Sequence, residues 1–142
     1  MIGRLCMTGK IFIDTNLWIY LHSKDPKQEI IAHLVKQNFS KIVISVQVIG
    51  EIYYTLTRKG IKNAKEAKSI IQNVVSSFPP ISIMQATAER AIEISIKSKF
   101  TYWDSLIIAS SLESGCVYLY SEDMHHGQII NETLTIVNPF KK

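Results

Sequence analysis

Ile11-Phe12-Ile13 is a β-branched and aromatic run between Lys10 and Asp14, too short for a helix and apolar at every position. Such a run reads as a strand buried on both faces, and such a strand needs helices above and below it. The rest of the chain supplies them. Thr15 or Asn16 caps a short helix through Tyr20, and Asp25-Pro26 opens another that runs to about Phe39, with Ile30, Ile31, Leu34 and Val35 at helical spacing. Residues 41–45 read as a second strand. Ser45 is placed to cap a third helix over 46–58, which Gly60 closes, and Asn63 starts a fourth that must end before Phe78-Pro79-Pro80. Residues 81–84 read as a third strand and 87–99 as a fifth helix, with Ala88, Ala91, Ile92 and Ile96 facing inward. Thr101 opens a sixth helix to Glu113, with Gly115 as its stop; 117–121 and 133–137 are the remaining strands, the last an edge strand. Strands separated by helices require crossover connections, so the expected architecture is three-layer α/β: a mostly parallel central sheet with helices on both faces. At 142 residues the chain is expected to form a single domain.

Apolar runs of only a few residues exclude a bilayer-spanning helix. The first ten residues carry Arg4 and Lys10 without an apolar stretch of signal-peptide length, which points to a cytoplasmic protein. Cys6 and Cys116 lack CxxC spacing and read as reduced structural thiols. Net charge is informative once divided. There are 16 Lys and Arg against 12 Asp and Glu. If four acidic residues gather in one site, the remaining surface is strongly basic and attracts polyanions. The densest basic stretch is Arg58, Lys59, Lys62, Lys65 and Lys68, which suits a solvated helical hairpin or a nucleic-acid contact.

Three of the four aspartates fall at pointed places. Asp14 ends the first strand, at the carboxyl edge where open α/β sheets bind ligands. Asp123 follows the strand over 117–121 and so shares that edge. Asp104 lies in the first turn of a helix, Tyr102-Trp103-Asp104-Ser105-Leu106-Ile107-Ile108-Ala109, that is apolar on almost every face. Each has a structural alternative: Asp14 as a helix cap, Thr101-x-x-Asp104 as a capping box, Asp123 as a turn residue. Glu51 is the awkward candidate. Ile49, Ile52, Tyr53 and Leu56 form the core stripe of its helix, and at about 100° per residue Glu51 points away from it. Gly50 beside it costs about 1 kcal/mol relative to alanine, which suggests a close approach there.

Carboxylates gathered on one edge repel one another unless a cation neutralises them, and oxygen-only donors select hard ions such as Mg²⁺ or Mn²⁺. Such ions, about 3.5 to 4 Å apart in two-metal sites, promote phosphodiester hydrolysis. An acidic pocket on a basic body therefore suggests metal-dependent cleavage of nucleic acid.

The ordered set of Asp14-Thr15-Asn16 after a strand, Ser45 with Glu51 in the helix it caps, Trp103-Asp104 opening an apolar helix, and Ser121-x-Asp123 after a strand resembles the PIN domain. The resemblance spans about residues 10–140. The segment from Tyr120 to Gln128, with Asn138-Pro139-Phe140, is similar to small prokaryotic PIN proteins of the VapC toxin type. The resemblance implies a PIN-like fold and a Mg²⁺- or Mn²⁺-dependent endoribonuclease, the toxin of a type II toxin-antitoxin pair held inactive by a protein antitoxin and assembled as a homodimer. It matches Asp14, Glu51, Asp104 and Asp123 to the metal-binding quartet and Ser121 to an assisting hydroxyl residue. Asn16 matches a polar position where an orienting hydrogen bond or a cap fits equally. Two other readings stay open: a PIN nuclease that processes RNA without being a toxin, and a domain that only binds RNA or protein. A phosphate-accepting Asp14 is disfavoured, because Asn16 stands where the Asp-x-Asp of phosphatases needs a carboxylate. His125 and His126 have no partner at metal-ligand spacing and read as loop residues. Trp103, Tyr53 and Tyr54 read as core aromatics rather than base-stacking platforms.

Overall fold

The computed structural model describes residues 9–141. Cys6 and Arg4 lie outside the described residues, as does most of the segment read above for a leader. β1 (Lys10–Ile13) is followed by α1 (Thr15–Leu21), α2 (Gln28–Gln37), β2 (Ile42–Val43), α3 (Val46–Arg58), α4 (Ala64–Ser77), α5 (Gln85–Lys97), α6 (Tyr102–Glu113), β3 (Cys116–Tyr120), β4 (Ile129–Ile130) and β5 (Leu134–Val137). The sheet order is β2-β1-β3-β5-β4, parallel throughout except for β4 against β5.

From β1 the chain crosses to β2 on one side, while β3 lies on the other, so the strand order switches direction at the carboxyl end of β1. That is where ligands bind in sheets of this kind. Phe12 and Ile13 are fully buried, as are Leu119, Leu134 and Ile136 from β3 and β5. Trp18, Ile31, Ile44, Val48, Ile52 and Leu56 pack against them from the helices and complete the main core. The faces of α6 explain its sequence: residues 105–111 are all buried, so this helix is apolar all round because it is covered all round.

Several local expectations need correction. The cap of α1 is Asp14, whose Oδ1 accepts from the Thr15 amide at 2.7 Å, and not Thr15 or Asn16. Asp25 bonds the Lys27 amide at 2.8 Å in a turn, so α2 begins at Gln28; it ends at Gln37, and Phe39 opens a separate 3₁₀ turn. Residues 81–84 form no strand. Ile81 makes a single bridge to Ser45, since Pro79-Pro80 bring no amide hydrogens and Met84 already caps α5.

On α5 the inward positions are Thr87, Ala91 and the partly buried Ile94, with Ala91 against Leu106 and Ala109 of α6. Ile92 and Ile96 are instead exposed, at 49% and 76%. Small residues at the helix contact draw the two helices together and turn the isoleucines outward. Nor is β5 the sheet edge. Asn131 and Glu132 both take positive φ, 53° and 62°, and turn the chain so that β4 pairs outside β5.

Candidate active site

The end of β1 is tied to the end of β3 by backbone and side chain together. The Asp14 amide donates to the Tyr120 carbonyl at 2.9 Å, and the Ser121 hydroxyl donates to Asp14 Oδ2 at the same distance. Asp14 thus spends one carboxylate oxygen on capping α1 and the other on Ser121. The capping and site readings of this residue coexist in one side chain. Burial raises its pKa to about 6 against the pull of those two hydrogen bonds, and the nearby Asp104 and Glu51 push it further.

Around Asp14, a cavity of about 300 Å³ is lined by Glu51 from α3, Asp104 from α6 and Asp123 from the turn after β3, with Thr15 and Asn16 at its floor. The four carboxylates named from the sequence are therefore brought together from four separate segments. Each has a neutral donor or a helix start to orient it. Thr15 Oγ1 donates to Glu51 Oε1 at 2.5 Å and Gln47 Nε2 to Glu51 Oε2 at 3.1 Å. Asn16 Nδ2 donates to Asp123 Oδ2 at 2.6 Å, which makes Asn16 an orienting residue and leaves the cap to Asp14. The Asp104 amide bonds the Thr101 hydroxyl at 3.1 Å, so Asp104 sits in the first turn of α6 while its carboxylate lines the cavity. Its pKa is raised, first by burial and then by Asp123 and Glu51.

Glu51 does point away from the buried stripe Val48, Ile52 and Leu56, as its periodicity requires. The direction away from the core is here the direction of the cavity. Gly50, by contrast, marks no close approach: a Cβ there would meet nothing within 4 Å. Sequence reasoning missed Thr15 and Gln47 as the groups that hold Glu51. Gln47 had a readable signal, since it precedes Glu51 by one helical turn.

The turn carrying Asp123 is held on its far side as well. Glu122 pairs with Lys27 and accepts from the Tyr20 hydroxyl at 2.6 Å, and the Lys27 ammonium lies over the rings of Tyr20 and Phe140. His126 Nδ1 accepts from the Asn138 amide at 2.9 Å, so it serves the turn and not the cavity.

The cavity residues can be tested for a cation. The donor set is carboxylate oxygen with hydroxyl and amide neighbours, the set that hard divalent ions take. The raised pKa values of Asp14 and Asp104 show negative charges that no cationic lining residue relieves. Among the described residues no group of three or more His, Cys, Asp or Glu stands as a ready-made cage. The site fits such an ion by donor chemistry and by its unrelieved charge.

Fold and pocket together define a class: a parallel α/β domain with an acidic cavity at its switch point. The PIN domain family profile matches residues 11–129, and the chain belongs to that family. No curated protein matches the sequence. Among solved structures, a toxin-antitoxin complex from Klebsiella pneumoniae superposes with a TM-score of 0.72 at 19% identity, over 94% of this chain and 100% of that one. The sarcin-ricin-loop-cleaving toxin VapC20 of Mycobacterium tuberculosis gives 0.66 at 20% identity, over 78% and 87%. DNA-bound VapBC from Salmonella typhimurium gives 0.69 at 17%, over 89% and 96%. At these identities the likeness is one of fold.

Proposed function

We propose that this protein is a Mg²⁺- or Mn²⁺-dependent endoribonuclease, the toxin of a toxin-antitoxin pair, acting in the cytoplasm as a single PIN domain. The observation that carries the reading is the meeting of Asp14, Glu51, Asp104 and Asp123 in one cavity, on a chain whose net charge is otherwise +4. These four would hold the cation. When bound, it supplies Lewis acidity and a water acidic enough to act as nucleophile.

The chain's own groups hold the carboxylates in place. Ser121 and the Thr15 amide fix Asp14, Thr15 Oγ1 and Gln47 fix Glu51, and Asn16 fixes Asp123. A carboxylate with a raised pKa, such as Asp104, is suited to accept a proton from the attacking water. The body's basic surface draws in the RNA, while the cavity excludes phosphate until its own charge is neutralised.

A protein antitoxin as partner is supported by the fold-level neighbours, which include toxins crystallised with their antitoxins. A homodimer is supported by the apolar residues that α5 leaves uncovered, Met84, Ile92 and Ile96. Purified protein should cut RNA when Mn²⁺ or Mg²⁺ is added and stop in excess EDTA, and Asp14→Asn should be inactive. Full cleavage in EDTA, or by the variant, would overturn the reading.

A further inference from the structure

The face of α3 that looks away from the core does more than deliver Glu51. Gln47, Glu51, Tyr54 and Arg58 follow one another at intervals of four, three and four residues and so form one stripe along the helix. Its first two members reach the cavity: Gln47 bonds Glu51 and also the Trp103 carbonyl at 3.2 Å, and Glu51 lines the wall. Tyr54 lines the same cavity, yet 62% of it is exposed. The Arg58 guanidinium lies 5.8 Å from the centre of the Tyr54 ring, and beyond it the turn between α3 and α4 brings Lys59, Lys62, Lys65 and Lys68. Across the cavity mouth, Trp103 is also 62% exposed, beside Asp104.

An aromatic ring of this size left open to water at an acidic cavity is costly unless it has an occupant, and a core role is excluded by exposure. The pattern offers a flat ring at the cavity, a guanidinium one turn further on and ammonium groups after that. It matches a strand whose bases stack and whose phosphates are negative. Seven residues of helix separate Glu51 from Arg58, about 10 Å, or about three nucleotides stacked at ~3.4 Å each. A duplex hides its base faces and could use the lysines but not the rings.

We propose that this stripe is a single-strand track: one unpaired base stacks on Tyr54, another on Trp103, and Arg58 with the hairpin lysines takes the phosphates that run out from the cavity. The inference rests on the ribonuclease reading for what lies at the end of the track, and it adds that the substrate is unpaired where it crosses α3.

The test uses the full chain in EDTA, so that binding is read without cleavage, with a ten-residue oligouridylate and an RNA duplex of equal length as probes. The second tryptophan, Trp18, is buried at 1% exposure, so quenching of emission reports on Trp103. Oligouridylate should quench it and the duplex should not. Tyr54→Ala should weaken oligouridylate binding about five- to hundredfold, and Tyr54→Phe should restore it. Arg58→Ala should lower the slope of log affinity against log salt by about 1. Unchanged binding in Tyr54→Ala, or equal quenching by the duplex, would overturn the track and leave α3 and its lysines as a surface for some other partner. The parent protein, assayed separately for Mn²⁺-dependent cleavage, keeps the two claims apart. Cleavage with an indifferent Tyr54 removes the track alone, while single-strand binding that needs Tyr54 without cleavage removes the ribonuclease reading alone.

Discussion

Asp14→Asn should make the metal-free protein more stable at neutral pH, and this follows from the carboxylate's surroundings. Asp14 is buried at 8% exposure, and its pKa rises from 3.8 to about 6. Below the unfolded value, folded and unfolded chains both hold the proton and the group is neutral with respect to stability. As pH rises from about 3.8 to 6 the unfolded chain releases its proton first, and above 6 the full cost of a buried anion falls on the folded state. That displacement corresponds to ~3 kcal/mol. Going from pH 8 to pH 5 should return about 1.4 kcal/mol of it to the parent protein. The asparagine variant keeps an oxygen for the Thr15 amide and carries no charge, so its stability should lack this component.

With an unfolding entropy of ~0.3 kcal/mol/K for a chain of this length, the variant should melt about 10 °C above the parent at pH 8, and about 5 °C above it at pH 5. Melting curves in EDTA at both pH values suffice. The difference between variant and parent isolates Asp14, because Asp104 and Glu122 titrate in both proteins. A variant that melts at or below the parent at pH 8, or a difference that does not shrink at pH 5, would refute the claim that this carboxylate is held against its own solvation.

The other expectations are simpler to check. Mn²⁺ at 100 times its dissociation constant should stabilise the parent by about 2.7 kcal/mol, seen as a rise of ~9 °C in Tm, and Asp104→Asn and Asp123→Asn should each abolish most of that rise. Gly50→Ala should stabilise the fold by about 0.5–1 kcal/mol in urea unfolding, because its Cβ enters open space on a helix. Cys116 is buried and its thiol is pushed up to about 12, so native protein at pH 8 should leave it unalkylated by iodoacetamide in peptide mass mapping, and urea should expose it. Lys27→Met should free the turn that carries Asp123, leaving overall melting little changed while weakening Mn²⁺ binding measured by calorimetry.

The parts of this molecule that could be read in the sequence are those where a local rule and the global fold agree. Ser45 caps α3 through the Val48 amide, Asn63 and Glu66 form a capping box, and Gly60 and Gly115 take positive φ at helix ends. Each of these is settled within four residues of chain. What misled was settled from further away. The direction of α5 depends on Ala91 finding Ala109 in α6, which turns Ile92 and Ile96 outward despite their periodicity. The edge of the sheet depends on an Asn131-Glu132 turn, where a glutamate takes a conformation that sequence rules reserve for glycine or asparagine.

The acidic site divides the same way. Asp14, Asp104 and Asp123 were legible because each stands at the end or start of an element whose placement the sheet topology dictates. Glu51 stands in mid-helix, so its direction is known only once α3 is docked, and periodicity alone made it a surface residue. Both statements are correct for α3, which has two working faces. Val48, Ile52 and Leu56 fix the helix to the sheet, and that docking aims Gln47, Glu51, Tyr54 and Arg58 along the line from the cavity to the basic hairpin. A substitution on the buried face should therefore disturb the carboxylate geometry through the angle of α3 before it unfolds the chain, and the position at which a function seemed least readable is the one that depends most on packing.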